Sequence, residues 1–263
     1  MQMLTENRNI AKRVSRFFDE QARDYNGQYS NNDNVRSFIF SERKRIVLEM
    51  LGSNFGNILD SGCGPGVYSG ELSLRCGKLY GVDVSSKMIE IAKARNLSNA
   101  EFSVGRVEAL QFRDGVFDAV VCVGVLEYLD NIEEGIREIA RITKAGGAVI
   151  FTTQSAASIL NKLDYLIRLA LRLLYGIIKI DFSKSFMNYD FWPRMLSNKE
   201  IAPLLQKYGF RIEKERFHIF RISLLNRIAP ELSLFLAKRL NFISNRFLAI
   251  NYIVRARRIG LDT

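Results

Sequence analysis

Hydrophobic positions along the chain fall into short continuous runs that are separated by longer stretches with helical spacing. The continuous runs are typical of strands buried on both faces of a sheet, and they lie at 57–60, 78–84, 100–104, 116–123 and 148–153. Between them, apolar residues recur every three or four positions, as at 87–95 and 132–143, which predicts helices. A short helix is also expected at roughly 68–75, a turn at 145–147 and a seventh strand at 249–256. Strands that alternate with helices in this way form an open parallel sheet, so the pattern predicts an α/β fold.

The first strand leads into a glycine-rich turn with the sequence N-I-L-D-S-G-C-G-P-G. Asp60 stands two residues before the first of three glycines, which occupy alternate positions (Gly62, Gly64, Gly66). Glycine tolerates the backbone angles of a tight turn and lets a ligand approach the main chain. A dinucleotide-binding fingerprint would need its third glycine at Val67, and no G-K-S or G-K-T of a P-loop follows. An acid before such a turn suits a cationic or amine-bearing ligand better than a pyrophosphate.

The spacing D-x-G-x-G-x-G resembles the first motif of class I S-adenosylmethionine-dependent methyltransferases. The resemblance covers roughly residues 15–155 and resumes at 196–210. It implies a Rossmann-like, doubly wound, mostly parallel seven-stranded sheet with helical insertions, and S-adenosylmethionine as the cofactor. Together with two amphipathic segments that exceed the family's minimal fold, it predicts four parts: an N-terminal helical lid at 1–50, a cofactor-binding core at 51–157, a basic amphipathic helical insertion at 158–195, and a C-terminal completion of the sheet with a second amphipathic insertion at 196–263.

The resemblance assigns cofactor contacts to the loops that follow the first two strands. Asp60 and the glycine turn, including Cys63, would hold the methionine part of the cofactor. Asp83 ends the second strand and would accept both ribose hydroxyls, with Val84 and Met88 beside it. Either Ser85 or Ser86 is expected to cap the helix that follows.

Two further segments would complete the cofactor site. Tyr25 ends a lid segment, F-D-E-Q-A-R-D-Y, that resembles the family's F-D-x-x-A-x-x-Y, and would face the cofactor. Cys122 and Val123, in the fourth strand, would lie beside it. Cys122 is expected to be a buried strand residue and not a nucleophile, because no Pro-Cys motif is present. An ordinary surface position for Tyr25 is the alternative.

The segment G-R-V-E-A-L-Q-F departs from the family's pattern at one residue. The corresponding family stretch is G-D-A-E-x-L-P-F, whose first acid holds the adenine amine, and here Arg106 takes its place. The departure leaves adenine recognition to backbone groups near Val107, with Glu108 alongside. Arg106 is expected either to stack on the ring or to point to solvent.

Three side chains are catalytic candidates. Methyl transfer needs a general base only when the acceptor must lose a proton. His218 has an unperturbed pKa near neutrality, although a structural role is the commoner outcome for a lone histidine. Glu127 and Tyr128 follow the fourth strand, at the sheet edge where ligands bind in open parallel sheets.

Charge is distributed unevenly along the 263 residues, whose net charge is +10. Residues 1–150 hold 19 basic and 20 acidic side chains, whereas residues 151–263 hold 19 and 8. This asymmetry favours an anionic partner. Two basic amphipathic stretches, 158–180 and 224–248, suit an anionic membrane surface, and the alternative is that they pack together as the roof of a substrate pocket or as a dimer surface.

The sequence therefore predicts a methyltransferase that acts on a small, lipid-like or phosphorylated acceptor. Three cysteines without C-x-x-C spacing and a polar N-terminus predict a cytoplasmic protein, with a peripheral position at the inner membrane face left open, and no metal site is expected. One alternative is an RNA methyltransferase, although the motifs of nucleic-acid methyltransferases are missing, so a nucleic-acid partner is not expected. The other is a non-catalytic cofactor-binding or interaction protein. Self-association is left open.

Overall fold

A seven-stranded sheet organises the described part of the chain. The computed structural model describes residues 2–27, 34–163, 165–167, 194–218, 223–241 and 245–259. The strands are β1 (Phe55–Ser61), β2 (Cys76–Asp83), β3 (Ala100–Val104), β4 (Phe117–Val123), β5 (Thr143–Gln154), β6 (Phe210–His218) and β7 (Asn251–Arg258). The helices are α1 (Gln2–Gly27), α2 (Val35–Leu51), α3 (Ser69–Ser73), α4 (Ser86–Lys93), α5 (Ile132–Ile142), α6 (Asn198–Lys207), α7 (Ser223–Ile228) and α8 (Pro230–Leu240), with a 3₁₀ turn at Leu126–Tyr128.

The strands are arranged in the order β3-β2-β1-β4-β5-β7-β6. The first five are parallel to one another, whereas β7 runs antiparallel to both β5 and β6. In the centre, Asp60 of β1 lies between Gly81 of β2 and Val121 of β4. The carboxyl ends of these three strands therefore share one edge. The predicted Rossmann-like, mostly parallel fold is confirmed.

Helices cover both faces of the sheet, as the continuous apolar strands require. Along β4, successive residues point to opposite sides. Val120 and Cys122 pack in one core with Ile136 and Ile139 of α5. Ala119 and Val121 belong to the other core, which includes residues 46–48, 50 and 51 of α2.

Local signals set the starts of two helices. Ser85 caps α4, since its hydroxyl accepts a hydrogen bond of 3.1 Å from the backbone N–H of Met88, so the first of the two predicted caps is the correct one. Ser197 and Glu200 form a reciprocal capping box at the start of α6. These hydrogen bonds fix the N-terminal end of each helix.

Three element boundaries differ from the sequence prediction. The helix expected at 68–75 is the five-residue α3, because β2 already begins at Cys76, where it pairs with Phe55. β5 begins at Thr143 and includes the expected turn at 145–147, and β7 lies at Asn251–Arg258, two residues beyond the prediction. Pairing with neighbouring strands sets these limits. The local hydrophobic pattern carries no information about that pairing.

The first basic amphipathic stretch lies largely outside the described residues, including Asp164, Arg168, Arg172 and Lys179; within it, residues 159–163 and 165–167 are helical. The second is α7 and α8, with Phe242 and Ile243 also outside the described residues. Among the helices that the structure describes, none has the length and apolar character needed to cross a membrane.

Candidate cofactor-binding and acceptor site

The loop after β1 has a backbone that only glycine adopts readily. Gly62, Gly64 and Gly66 have φ values of 78°, 52° and 72°. At Gly62 there is also no room for a side chain, because a Cβ there would lie 2.2 Å from Cγ2 of Val125. The three alternate glycines that the sequence singled out therefore fold into a tight turn, in which Gly62 and Gly64 are partly exposed and Gly66 is buried. Cys63 between them turns its side chain inward against Phe102 and Ile89, so its predicted cofactor contact could come only from the main chain.

Asp60, the acidic residue near the end of β1, is buried beneath this turn. It is 2% exposed, and its Oδ2 has no hydrogen-bond partner among the described residues. Burial, followed by repulsion from Asp83, raises the pKa of Asp60 to about 7. A buried carboxylate oxygen without a partner is costly. A cationic or amine-bearing ligand would supply the missing donor.

Asp83 ties the glycine turn to the end of β2. Its carboxylate accepts a hydrogen bond of 2.8 Å from the N–H of Gly64 and one of 2.9 Å from the N–H of Ser85. Burial is the main cause that raises its pKa, and these backbone bonds act in the opposite direction. Through the bond from Ser85, Asp83 also flanks the start of α4. Each oxygen has a second lone pair, so the geometry also leaves it able to accept ligand hydroxyls.

Helix α1 docks on the junction between β2 and α4. Asp19 accepts a hydrogen bond of 2.6 Å from the Ser85 hydroxyl and one of 3.2 Å from the N–H of Lys87. The Ser15 hydroxyl donates to the carbonyl oxygen of Val84 at 3.2 Å. α1 therefore lies across the carboxyl ends of the strands, beside the buried Met88.

A line of aromatic rings continues from α1 across the site. The ring of Phe18 packs edge-to-face on Tyr128 at 5.3 Å and on Tyr25 at 6.3 Å, measured between ring centroids. Tyr25 in turn lies 6.0 Å from the ring of Phe40 on α2. Tyr25 is therefore half-buried within a row of partly exposed aromatic rings, and its contact with the cofactor stays a prediction.

Arg106 forms ion pairs that were not among its expected arrangements, and its side chain is 39% exposed. Its guanidinium donates to Asp130 at 2.8 Å and to Glu108 at 3.2 Å. The backbone N–H of Asp130 also donates to Glu108, at 3.2 Å. Two acids thus hold the arginine by ion pairing, whereas stacking or solvation was predicted. Val107 between them is buried in the main core.

Cys122 is confirmed as a buried strand residue. Its side chain is fully inaccessible, and its pKa is raised well above the ordinary value, first by burial and then by the carboxylates of Glu127, Asp60 and Glu108. The thiol therefore stays protonated and faces the core. A cofactor contact here could come only from the main chain or from the half-buried Val123.

Glu127 occupies the 3₁₀ turn that follows β4. Its side chain is buried, and its Oε2 has no hydrogen-bond partner among the described residues. Burial raises the pKa of Glu127 to about 7, while Arg43 acts to lower it. Tyr128, the second candidate at this edge, belongs to the aromatic row through Phe18.

His218 ends β6, and its environment differs from the near-neutral one expected from sequence. Burial lowers the pKa of its imidazole to about 4, with Glu42 and Arg45 of α2 as the charged groups that act on it. It is 5% exposed and opposite Asn251 of β7 in the sheet. The imidazole is therefore neutral at physiological pH.

Sequence reasoning missed three residues of this site. Asp19 lies in the quoted lid segment, yet nothing local indicates a partner 66 residues away. Asp130 pairs with Arg106, which lies 24 positions earlier in the chain. The only sequence signal for this ion pair was an acidic residue after the fourth strand. Arg43 looks like an ordinary helical arginine, although its side chain is buried. Long-range packing defines all three.

The core of the chain matches a known family. Residues 59–151 match the family model described as a methyltransferase domain. A ubiquinone biosynthesis O-methyltransferase of Chromobacterium violaceum is 32% identical over 100 residues, covering 36% of this chain and 43% of that protein. A malonyl-(acyl-carrier protein) O-methyltransferase of Erwinia billingiae is 31% identical over 102 residues, covering 39% and 40%. The chain thus matches less than half the length of these curated relatives.

The fold extends beyond the matched core. The structure of an S-adenosylmethionine-dependent methyltransferase of Thermotoga maritima superposes with a TM-score of 0.63 at 19% identity, covering 93% of this chain and 99% of that chain. The residues of the glycine turn fit the cofactor of that family, because Asp60, with a buried carboxylate oxygen that has no partner among the described residues, precedes main chain that is partly exposed at Gly62 and Gly64. The chain therefore carries a class I S-adenosylmethionine-dependent methyltransferase domain, with S-adenosylmethionine as its cofactor.

Proposed function

We propose that the chain transfers the methyl group of S-adenosylmethionine to the oxygen of a small acceptor. The observation that carries this proposal is the pair of acids on either side of a glycine turn with positive φ angles, the buried Asp60 and the half-buried Asp83. The burial of Asp60, whose Oδ2 has no partner among the described residues, is costly without a ligand that donates a hydrogen bond. The O-methyltransferase names of both curated relatives support an oxygen acceptor.

Each part of the site has a role under this proposal. The bound cofactor supplies an activated methyl group on a positively charged sulfur. Asp60 and the glycine turn bind its amino acid part, Asp83 accepts from the ribose, and the main chain near Val107, beside Glu108, meets the adenine. Arg106 holds Asp130 and Glu108 in place at this end. α1 and its aromatic row exclude water and orient the acceptor.

The acceptor is proposed to be small or lipid-like, and its methylation to take place in the cytoplasm at the surface of an anionic membrane. Phe235 on α8 and Phe247 are about half exposed, at 55% and 49%. Arg239 lies over the Phe235 ring at 5.6 Å and Arg246 over the Phe247 ring at 4.7 Å. Exposed apolar side chains beside arginines support binding to an anionic interface. Flotation with anionic and with neutral vesicles tests this location, and equal partitioning into both would contradict it.

Titration calorimetry with S-adenosylmethionine and S-adenosylhomocysteine tests the proposed function. The variant Asp83→Asn keeps the shape of the side chain, and we expect it to weaken binding about 10–100-fold. Asp114→Asn is the matched control, because that acid is exposed and pairs with Arg141 away from the site. Absence of binding to the wild type would overturn the proposal.

Turnover separates this function from the two rivals. Radiolabelled methyl transfer into lipid, small-molecule and RNA fractions of a cell extract identifies the acceptor class. Label in RNA with steeply salt-dependent RNA binding would favour the RNA methyltransferase. Cofactor binding without transfer to any fraction would favour the non-catalytic protein.

A further inference from the structure

One side of the glycine turn is covered by an arginine from the far end of α4. Arg95 follows the last residue of α4 by two positions, and its Nε donates a hydrogen bond of 2.6 Å to the carbonyl oxygen of Pro65. The same side chain lies across Gly66, because a Cβ there would lie 2.9 Å from Nε and 3.0 Å from Cδ of Arg95. The missing side chain of Gly66 therefore makes room for the arginine.

The two halves of the turn are held in different ways. The N–H groups of Gly62 and Cys63 both donate to the carbonyl oxygen of Val82, at 2.7 and 3.0 Å, so β2 holds the first half. Pro65 has no N–H with which to form such a bond, and Gly66 donates back within the turn, to Cys63 at 3.0 Å. The bond that Pro65 accepts from the arginine joins the second half of the turn to the end of α4.

A carboxylate and a lysine lie beside this contact. Lys44 of α2 donates to Glu71 at 2.6 Å and to the carbonyl oxygen of Val67 at 3.5 Å. Glu71 also acts on Arg95, since burial lowers the pKa of the guanidinium whereas this carboxylate raises it. An arginine keeps its charge in either case. The carbonyl oxygens of residues 65 and 67 therefore both accept from cations, and hydrogen bonds with a charged partner are stronger than neutral ones.

Order in the turn matters for the affinity of a ligand that binds there. Gly66 has a φ of 72°, and glycine loses more conformational freedom on ordering than any other residue. A loop that is already held in its bound conformation avoids this entropic cost when the ligand binds. A side chain that fixes the second half of the turn should therefore strengthen binding without touching the ligand.

Resting on the cofactor binding at this turn that the proposed function requires, we infer that Arg95 is a positioning residue for S-adenosylmethionine. Its guanidinium holds the main chain of Pro65 and Gly66 in the conformation that the cofactor meets. It acts through the turn, and no contact between the arginine and the cofactor is needed. Lys44 and Glu71 support the same segment from α2 and α3.

A pair of arginine variants separates positioning from stability. We expect Arg95→Ala to weaken binding of S-adenosylhomocysteine roughly 10-fold in titration calorimetry. Arg258→Ala is the matched control, because its Nε donates to a carbonyl oxygen at 3.2 Å, that of Ala140, and it ends β7 away from the turn. Urea unfolding measures how much stability each variant loses. Unchanged affinity in Arg95→Ala, or equal weakening in both variants, would overturn the inference.

Arg95→Lys separates the hydrogen bond from the charge. Lysine keeps a positive charge beside Glu71 but has no N–H at the position of Nε, so we expect this variant to bind S-adenosylhomocysteine more weakly than the wild type as well. Amide NMR of ¹⁵N-labelled glycine gives a readout that a loss of stability alone does not move. The resonances of Gly64 and Gly66 should shift in Arg95→Lys and remain in place in Arg258→Ala. Wild-type affinity and unshifted resonances in Arg95→Lys would contradict the assigned role.

The wild type distinguishes failure of this inference from failure of the proposed function. If the wild type does not bind S-adenosylhomocysteine, the proposed function itself is overturned. If the wild type binds and both Arg95 variants bind equally well, only the positioning role of Arg95 is overturned.

Discussion

Asp19 accepts a hydrogen bond of 2.6 Å from the hydroxyl of Ser85, which joins the N-terminal helix to the cap of α4. The same carboxylate also accepts from the N–H of Lys87. Asp83, two residues before the cap, reaches the N–H of Gly64. The position of α1 is thereby coupled to the glycine turn through hydrogen bonds that run from Asp19 to Ser85, from Ser85 to Asp83 and from Asp83 to Gly64.

Asp19→Ala is expected to loosen α1 and to weaken cofactor binding. Loss of hydrogen bonds to a charged acceptor costs about 1.5–3 kcal/mol each at most, so we expect roughly 10-fold weaker binding of S-adenosylhomocysteine together with faster amide hydrogen exchange in α1. Glu20→Ala is the matched control on the adjacent, exposed position. Unchanged exchange in α1 of the Asp19 variant would contradict the coupling.

Asp60→Asn is expected to stabilise the protein without ligand at alkaline pH. The pKa of Asp60 is about 7 in the folded protein against an ordinary value of 3.8, so folding favours the neutral acid. Its contribution to stability is fully present below about pH 4 and is lost as the pH rises through about 7. Replacement by a neutral amide removes this loss, and we expect a gain of about 1–4 kcal/mol at pH 8.

Urea unfolding at pH 5 and pH 8 measures this effect. The difference between Asp60→Asn and the wild type should be larger at pH 8 than at pH 5, and the variant should bind S-adenosylmethionine much more weakly. Asp118→Asn is a useful contrast, because Lys144 and the N–H of Asn57 help to lower the pKa of that acid. Its loss should destabilise the protein most at neutral pH. Equal stability gains at both pH values for Asp60→Asn would contradict a raised pKa.

Arg43→Gln is expected to raise the pKa of Glu127 further. Burial raises the pKa of this carboxyl to about 7, while Arg43 acts to lower it, so removal of the guanidinium disfavours the ionised form. Carbon-13 NMR of the glutamate carboxyls measures this titration. Arg45→Gln is the control, since Arg45 is on the same helix and pairs with Glu42 and Glu49 at the surface. An unshifted titration of Glu127 would show that Arg43 does not act on it.

Ile136→Ala should lower the free energy of unfolding by about 2–5 kcal/mol. Its side chain on α5 is fully buried in the core that includes Val120 and Cys122. Leu74→Ala should change stability by less than about 0.5 kcal/mol, because Leu74 is 85% exposed. Chemical denaturation measures both values, and similar losses would contradict the assigned packing.

The alternation of strand and helix was predictable because it follows from local periodicity. β3 was placed at its observed limits, Ala100–Val104, and α5 to within one residue. The glycine turn was predictable for the same reason, since its backbone angles are a property of single residues. Local chemistry thus determined the elements and the cofactor loop.

The polar contacts between distant segments were not predictable. Arg106 departed from the family pattern, and its partner Asp130 is fixed by where the turn after β4 lies. The raised pKa values of Asp60 and Glu127 follow from burial. Burial cannot be inferred from these residue types, because Asp and Glu are usually exposed. A neutral histidine at position 218 has the same cause. Three-dimensional packing supplied each of these properties.

The place of β7 between β5 and β6 imposes an order on folding during synthesis. Residues 148–154 of β5 pair with β7, and β6 contacts the sheet through β7 as well. Until residues 251–258 leave the ribosome, β5 presents an open apolar edge and β6 has no place to pair. Such an edge is a template for aggregation. A nascent chain that already contains the whole glycine turn is therefore expected to expose this edge until β7 has been synthesised.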